Sequence, residues 1–200
     1  MSDIFARPLV MSPHFNDAVF SCGAMLAAHP GTVVYTVCSG CPAADVTTEW
    51  DLRCSFDNAT HATQARSLED DRALDILTAV PERGDFLDAQ YVPFVPLAHA
   101  PTQEAIAQAL DHALRRHGAR TLVIPFGLVH PDHELVRRAA KRRAVKAYAS
   151  QLKAFGPDGY DDVFCTERCW KLVFAPKETS RALRDQDGKT RNAAFGIRKN

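Results

Sequence analysis

The chain has 200 residues, enough for one sizeable domain that buries about 70% of the surface its unfolded form exposes. Hydrophobic residues make up 46% and charged residues 24%, and 24 Lys plus Arg balance 24 Asp plus Glu, so the formal net charge is zero. That balance argues against nucleic acid or an acidic partner drawn by bulk charge, and no stretch reaches the roughly 18 apolar residues that span a membrane.

The N-terminus, Met1 to Arg7, lacks a basic start followed by a long apolar stretch, so no signal peptide is expected. The six cysteines (22, 38, 41, 54, 165 and 169) do not have the spacing of a disulfide framework. A cytoplasmic location is the expectation. The basic run from Arg137 to Arg143 lies on a predicted helix and reads as a solvated face. Nothing in the pattern specifies an oligomeric state.

In chain order, Pro8 to Ser12 is the first predicted strand, and a helix follows from Asp17 to Ala28. Thr32 to Val37 is a dense β-branched and aromatic run, typical of a buried strand. Residues 43–58 read as a polar loop. Ala62 to Val80 reads as a long amphipathic helix with Leu68, Ala73, Leu74, Ile76 and Leu77 on its apolar face. Asp85 to Asp88 reads as a short strand, and the proline-rich residues 92–101 as a loop. Thr102 is a good N-cap for a helix running to His117, which Gly118 ends. Thr121 to Phe126 is another predicted strand, and a further helix starts near Asp132 or Glu134 and reads as continuous to residue 154. One domain over 1–176 and a polar tail over 177–200 are expected.

Strands alternating with helices predict an α/β fold, a mostly parallel sheet with helices on both faces. In such sheets ligands sit beyond the carboxyl ends of the strands. Two acid-and-histidine clusters directly follow predicted strands: His14-Phe15-Asn16-Asp17 and His130-Pro131-Asp132-His133. If those strands are neighbours, the clusters meet. A catalytic zinc site uses three ligands drawn from His, Asp and Glu, with one open position, and these clusters hold enough donors. The alternative is a set of satisfied core histidines. Cys38-Ser39-Gly40-Cys41 offers a rival reading as a redox pair, and small buried thiols are the plainer one.

The residues resemble a known family. Ser12-Pro13-His14-Phe15-Asn16-Asp17 followed by an apolar helix resembles the opening motif of LmbE-like or PIG-L deacetylases, and His130-Pro131-Asp132-His133 resembles their second motif. Arg66-Ser67-Leu68-Glu69 resembles the family's Arg-x-x-Glu helix, and Phe86 to Tyr91 the loop after it, so the likeness covers most of 8–140 in order.

The resemblance implies a Rossmann-like, zinc-dependent hydrolase (another divalent metal being possible). It would remove an acetyl group from the amide nitrogen of a small acylated amine, such as an N-acetylglucosamine derivative. It implies His14, Asp17 and His133 as metal ligands. His130 would stabilise the oxyanion or protonate the leaving amine, and Asp132 would orient His130. Arg66 and Asp88 would hold sugar hydroxyls, although Arg66 could instead pair with Asp70 on its own helix.

Two departures stand out. Asn16 occupies the position where the family has a general-base Asp, and a neutral amide cannot accept that proton. A substrate-trapping Asp-to-Asn variant, a natural non-catalytic homologue that holds metal and binds an acylated ligand, and a site using His130 as base all fit; the intact remainder of the site favours the first. The second departure follows Ala140, where relatives continue into another strand.

Overall fold

The computed structural model describes residues 6–43, 45–127, 129–146 and 148. Its strands are β1 (Pro8–Ser12), β2 (Val33–Thr36), β3 (Val80–Arg83) and β4 (Thr121–Val123). Its helices are α1 (Asp17–Ala28), α2 (Glu49–Arg53), α3 (Ala59–Ile76), α4 (Gln103–His117) and α5 (Pro131–Lys146). The strands form one parallel sheet in the order β3-β2-β1-β4. The expected α/β architecture is therefore present.

Every residue of β1 and β2 is buried, as befits strands covered on both faces. Side chains alternate between the faces with the two-residue strand period. Leu9, Met11, Val33 and Tyr35 pack with Ile106 and Leu110 of α4 and Val136 of α5. Val10 and Val34 pack on the opposite side with Ala18 and Leu26 of α1 and Leu74 of α3.

Several local signals act as expected. Thr102 Oγ1 accepts the Ala105 N–H at 3.2 Å, and Gly118 ends α4 in the left-handed region at φ 56°. Others do not. The loop over 43–58 contains α2, which Thr48 caps by accepting the Asp51 N–H at 3.1 Å. α3 begins earlier than expected because Asn58 Oδ1 accepts the His61 N–H at 2.9 Å. It also ends earlier, at Ile76, and Thr78 then takes a positive φ of 54°. The chain beyond Thr78 pairs with β2, starting at Val33↔Val80. Pro81 sits in an edge strand, where its missing N–H is tolerated. Residues 85–88 form no strand.

The expected apolar face of α3 is also corrected. Leu68 and Ile76 are exposed, and Ala59, Ala62, Asp70 and Leu74 face inward. The basic run on α5 is partly exposed, and charges within it are paired. Arg142 lies 2.7 Å from Glu104 and Arg143 pairs with Asp111, while Lys146, beyond the run, also lies 2.7 Å from Glu104, so α5 is fastened to α4. α5 continues without interruption past Ala140. The helix expected to reach 154, the boundary at 176 and the tail lie outside the described residues.

Gly84 closes the end of β3 against β2. A Cβ there would stand 2.5 Å from the Val37 carbonyl oxygen and 3.2 Å from that of Thr36, both backbone atoms. Gly84→Ala should therefore push away the segment that leads to Asp88, costing about 1–3 kcal/mol. A thermal melt tests this; an unchanged Tm would contradict it.

Candidate functional site

The site begins where β1 turns into α1. The Ser12 hydroxyl donates to the His14 carbonyl at 2.6 Å and accepts the Ala18 N–H at 3.0 Å, which fixes the turn. The His14 N–H donates to Asp17 Oδ2 at 2.8 Å. That same oxygen lies 3.1 Å from His14 Nδ1 and 3.1 Å from His133 Nε2. The neighbouring carboxyl ends of β1 and β4 have thus brought both clusters together. The His130 ring completes the group, with centroids 4.8 Å from His14 and 5.2 Å from His133.

Asp132 is buried at the start of α5. Its Oδ2 lies 2.9 Å from His14 Nε2, accepts the Ala89 N–H at 2.9 Å and stands 4.0 Å from His130 Nδ1. The Asp132 carboxylate thus engages His14 rather than the His130 it was expected to orient. The reason is local: the Asp132 main-chain N–H already donates to His130 Nδ1 at 3.3 Å. Asp88 Oδ2 stands 3.8 Å from His14 Nε2, beside the cluster.

Burial works against a charge on His14. Hydrogen bonds to Asp132 and Asp17 and the charges of Asp88 and Asp17 outweigh it and push the pKa up to about 10. Burial likewise opposes the charges of Asp17 and Asp132, but their hydrogen bonds with His14 hold both below the usual carboxylate range. His133 is lowered, first by burial and then by the nearby imidazoles, against the attraction of Asp17.

The donor set suits a metal. Nitrogen and oxygen ligands about 2.0–2.2 Å from one tetrahedral zinc stand about 3.3 Å apart, and the two 3.1 Å separations at Asp17 match. Donor atoms of His14, His130 and His133 lie within 4.8 Å of one another, and so do those of His14, Cys38 and Asp132. Cys38 suits the role poorly. Burial, with added repulsion from Asp132, Asp88 and Asp17, pushes its thiol far above the usual range and keeps it protonated. Both Cys38 and Cys41 are free thiols; Cys38 is buried, as the plainer reading expects, whereas Cys41 is exposed against it.

A cleft of about 1120 Å³ opens over this group and is lined by Asn16, Arg66 and Asp88 as well as by Phe15, Phe20, Trp50 and Phe56. Asn16 is exposed at the N-cap of α1, and its side chain caps no helix N–H. Arg66 does not pair with Asp70. Its Nη2 donates to Asp51 Oδ1 at 2.9 Å and its Nη1 to the Tyr91 hydroxyl at 3.4 Å. The sequence reading missed Asp51 and Tyr91, although Thr48-x-x-Asp51 carried a helix-start signal.

Asp70 faces Arg83 instead, at 2.8 Å, without an aligned hydrogen bond to either of its oxygens, while Arg83 donates to Asp71 at 2.5 Å. Burial outweighs the attraction of Arg83 and raises Asp70 to about 6.

The sequence pattern of the family PIG-L: GlcNAc-PI de-N-acetylase matches residues 9–144, which include both clusters. The chain belongs to this family. No curated protein matches it. Among solved structures, a triple mutant of a deacetylase from the teicoplanin biosynthetic pathway is 30% identical, with TM-score 0.59, covering 71% of this chain and 60% of its own. The antimicrobial reagent A40926 pseudoaglycone deacetylase Dbv21 is 26% identical, with TM-score 0.58, covering 72% and 60% respectively. A zinc-inhibited form of teicoplanin deacetylase, at 24% identity and TM-score 0.61, covers 71% and 64% and shares the fold. The PIG-L-family chain thus spans about 60% of the length of the first two relatives.

Asp70 gives a pH prediction. Its folded pKa of about 6 exceeds the ordinary 3.8, so the stability it contributes is present below about pH 4 and is lost as pH rises through about 6. The stability of Asp70→Asn relative to the parent should grow across that window by on the order of 2–3 kcal/mol and then level off. Urea unfolding at pH 4 and pH 7 measures it; a difference independent of pH would contradict it.

Proposed function

We propose that this chain is a metal-dependent N-deacetylase acting on the acetamide of a small amino sugar or its conjugate. His14, Asp17 and His133 hold a divalent ion, zinc being the first candidate. The observation that carries the reading is Asp17 Oδ2, set 3.1 Å from a nitrogen of each histidine at the base of an open cleft. When bound, the ion would polarise the amide carbonyl and lower the pKa of a water ligand.

The residues around the ion have separate tasks. Asp132 holds a proton of His14 on Nε2, so Nδ1 is the atom that would give up its proton to an ion and coordinate it, an arrangement typical of carboxylate–histidine pairs behind metals. His130 accepts a main-chain N–H at Nδ1, so its neutral ring carries the proton on Nε2. That tautomer suits a donor to the oxyanion or the leaving amine and argues against His130 as base. Arg66 and Asp88, both lining the cleft, hold substrate hydroxyls.

Asn16 lines the cleft without a capping task, so the fold places no demand on its amide. An Asp-to-Asn replacement that slows turnover and retains substrate is the reading we favour. The second reading, a non-catalytic metal-holding binder, rests on the same residue. Membership of the PIG-L family and the likeness to the two deacetylases of 26% and 30% identity support acetyl removal. The free thiols at Cys22, Cys38, Cys41 and Cys54 fit the cytoplasmic location expected from the sequence.

Asn16→Asp should raise hydrolysis of an N-acetylglucosamine conjugate by at least about 10²-fold, the usual size of general-base assistance. Substrate binding without turnover in both forms would favour the non-catalytic reading. His133→Ala should lose stoichiometric zinc by elemental analysis of purified protein, and equal zinc in the two forms would remove His133 from the ligand set.

A further inference from the structure

A second charged group lies under the cleft wall, away from the metal cluster. Asp51 is fully buried, and Tyr91 is 2% exposed. Every side-chain contact made by the Asp51 carboxylate comes from a donor. Oδ1 accepts from Arg66 Nη2 at 2.9 Å and from the Tyr91 hydroxyl at 3.0 Å; Oδ2 lies 3.1 Å from that hydroxyl and accepts from Thr48 Oγ1 at 2.9 Å. Both oxygens of the carboxylate are thus occupied by donors.

Arg66 lies between this carboxylate and the cleft. Its guanidinium packs 5.3 Å from the Phe56 ring centroid and lines the cleft, whereas Asp51 does not. Among the described residues lining the cleft, Arg66 is the one Lys or Arg, and it shares the wall with the acids Asp17, Glu69, Asp70 and Asp88. A lone arginine is a strong anion receptor because its fork matches phosphate and carboxylate. An arginine already paired with a buried carboxylate is electrically spent. It retains N–H groups that hydrogen-bond, without the net charge that draws an anion.

We propose that Asp51 is the positioning residue that neutralises Arg66 from beneath, making this wall a receptor for uncharged hydroxyls and a barrier to phosphate or carboxylate. The inference rests on the deacetylase reading for its substrate and assigns that substrate a neutral sugar face where it meets Arg66. Tyr91 and Thr48 hold the carboxylate in place. The remaining acids of the wall add to the repulsion of an anion.

The test uses inorganic phosphate titrated calorimetrically into metal-loaded protein, in the parent and in Asp51→Asn. Phosphate on the metal is common to both. Freeing one arginine charge in a partly desolvated wall should tighten phosphate binding by at least about tenfold. The gain should vanish when Arg66→Gln is added. A folded Asp51→Asn with unchanged phosphate affinity overturns the proposal, because a merely structural Asp51 would not alter anion affinity through Arg66.

The parent alone supplies a second arm, which stands even if Asp51→Asn does not fold. Methyl N-acetylglucosaminide should bind or react at least about tenfold better than N-acetylglucosamine 6-phosphate. Equal or reversed preference overturns the proposal. If neither sugar binds while the phosphate result holds, the amino-sugar reading falls and the neutral pair stands.

Discussion

The parallel pairing of β1 with β4 is the constraint on which this molecule depends. Its register sets Leu9 opposite Leu122 and Val10 opposite Val123, so both strands deliver their carboxyl ends to one place. β1 is also where the winding order reverses, since β2 and β3 lie on one side of it and β4 on the other. Open parallel sheets bind ligands at such a reversal because the connections on its two sides diverge and leave a crevice. His14 and Asp17 reach the crevice from the first connection, and His130, Asp132 and His133 from the last. The first group could not meet the second if β4 were placed elsewhere.

What fills the crevice is a balance of charge at close range. His14 stands between two carboxylates, with Asp17 on one ring nitrogen and Asp132 on the other. Each acid loses solvation on burial and recovers it through the imidazole and through main-chain N–H groups from His14 and Ala89. The same device recurs under the far wall, where Asp51 is satisfied by Arg66, Tyr91 and Thr48. A polar thread joins the two centres. Thr48 Oγ1 lies 2.6 Å from Gln90 Oε1, Gln90 Nε2 donates to Asp88 Oδ2 at 2.9 Å, and Asp88 stands beside His14. Asp70 shows the contrast, since Arg83 directs its hydrogen bond to Asp71 and leaves a buried acid with little compensation.

The parts of this arrangement legible in the sequence were those written in unbroken local signals. The β-branched run at 32–37, the Thr102 cap, the Gly118 stop and the two histidine clusters all announce themselves within a few residues. β3 did not. Four residues containing Pro81 carry too little pattern, and their identity as a strand comes from pairing with β2. The inward face of α3 was misread because Leu68 and Ile76 look like core residues, yet the helix turns Ala62 and Asp70 inward. Asp51 was hidden for a related reason. A carboxylate in a polar loop looks solvated until tertiary packing brings Arg66 and Tyr91 over it. The side-chain partner of Asp132 was equally beyond reach, since it depends on which imidazole the main chain satisfies first.

The separation of the two clusters along the chain has a temporal consequence. His14 and Asp132 touch across 118 residues, so their contact closes a very long loop. Local helices form early, and contacts of high sequence separation form only after the entropy of loop closure has been met. During synthesis the first cluster leaves the ribosome well before the strand that will complete it. For that interval the nascent chain carries half a site, with His14 and Asp17 exposed to whatever ions the surroundings supply. Assembly of the finished centre therefore reports that β4 has reached its place beside β1.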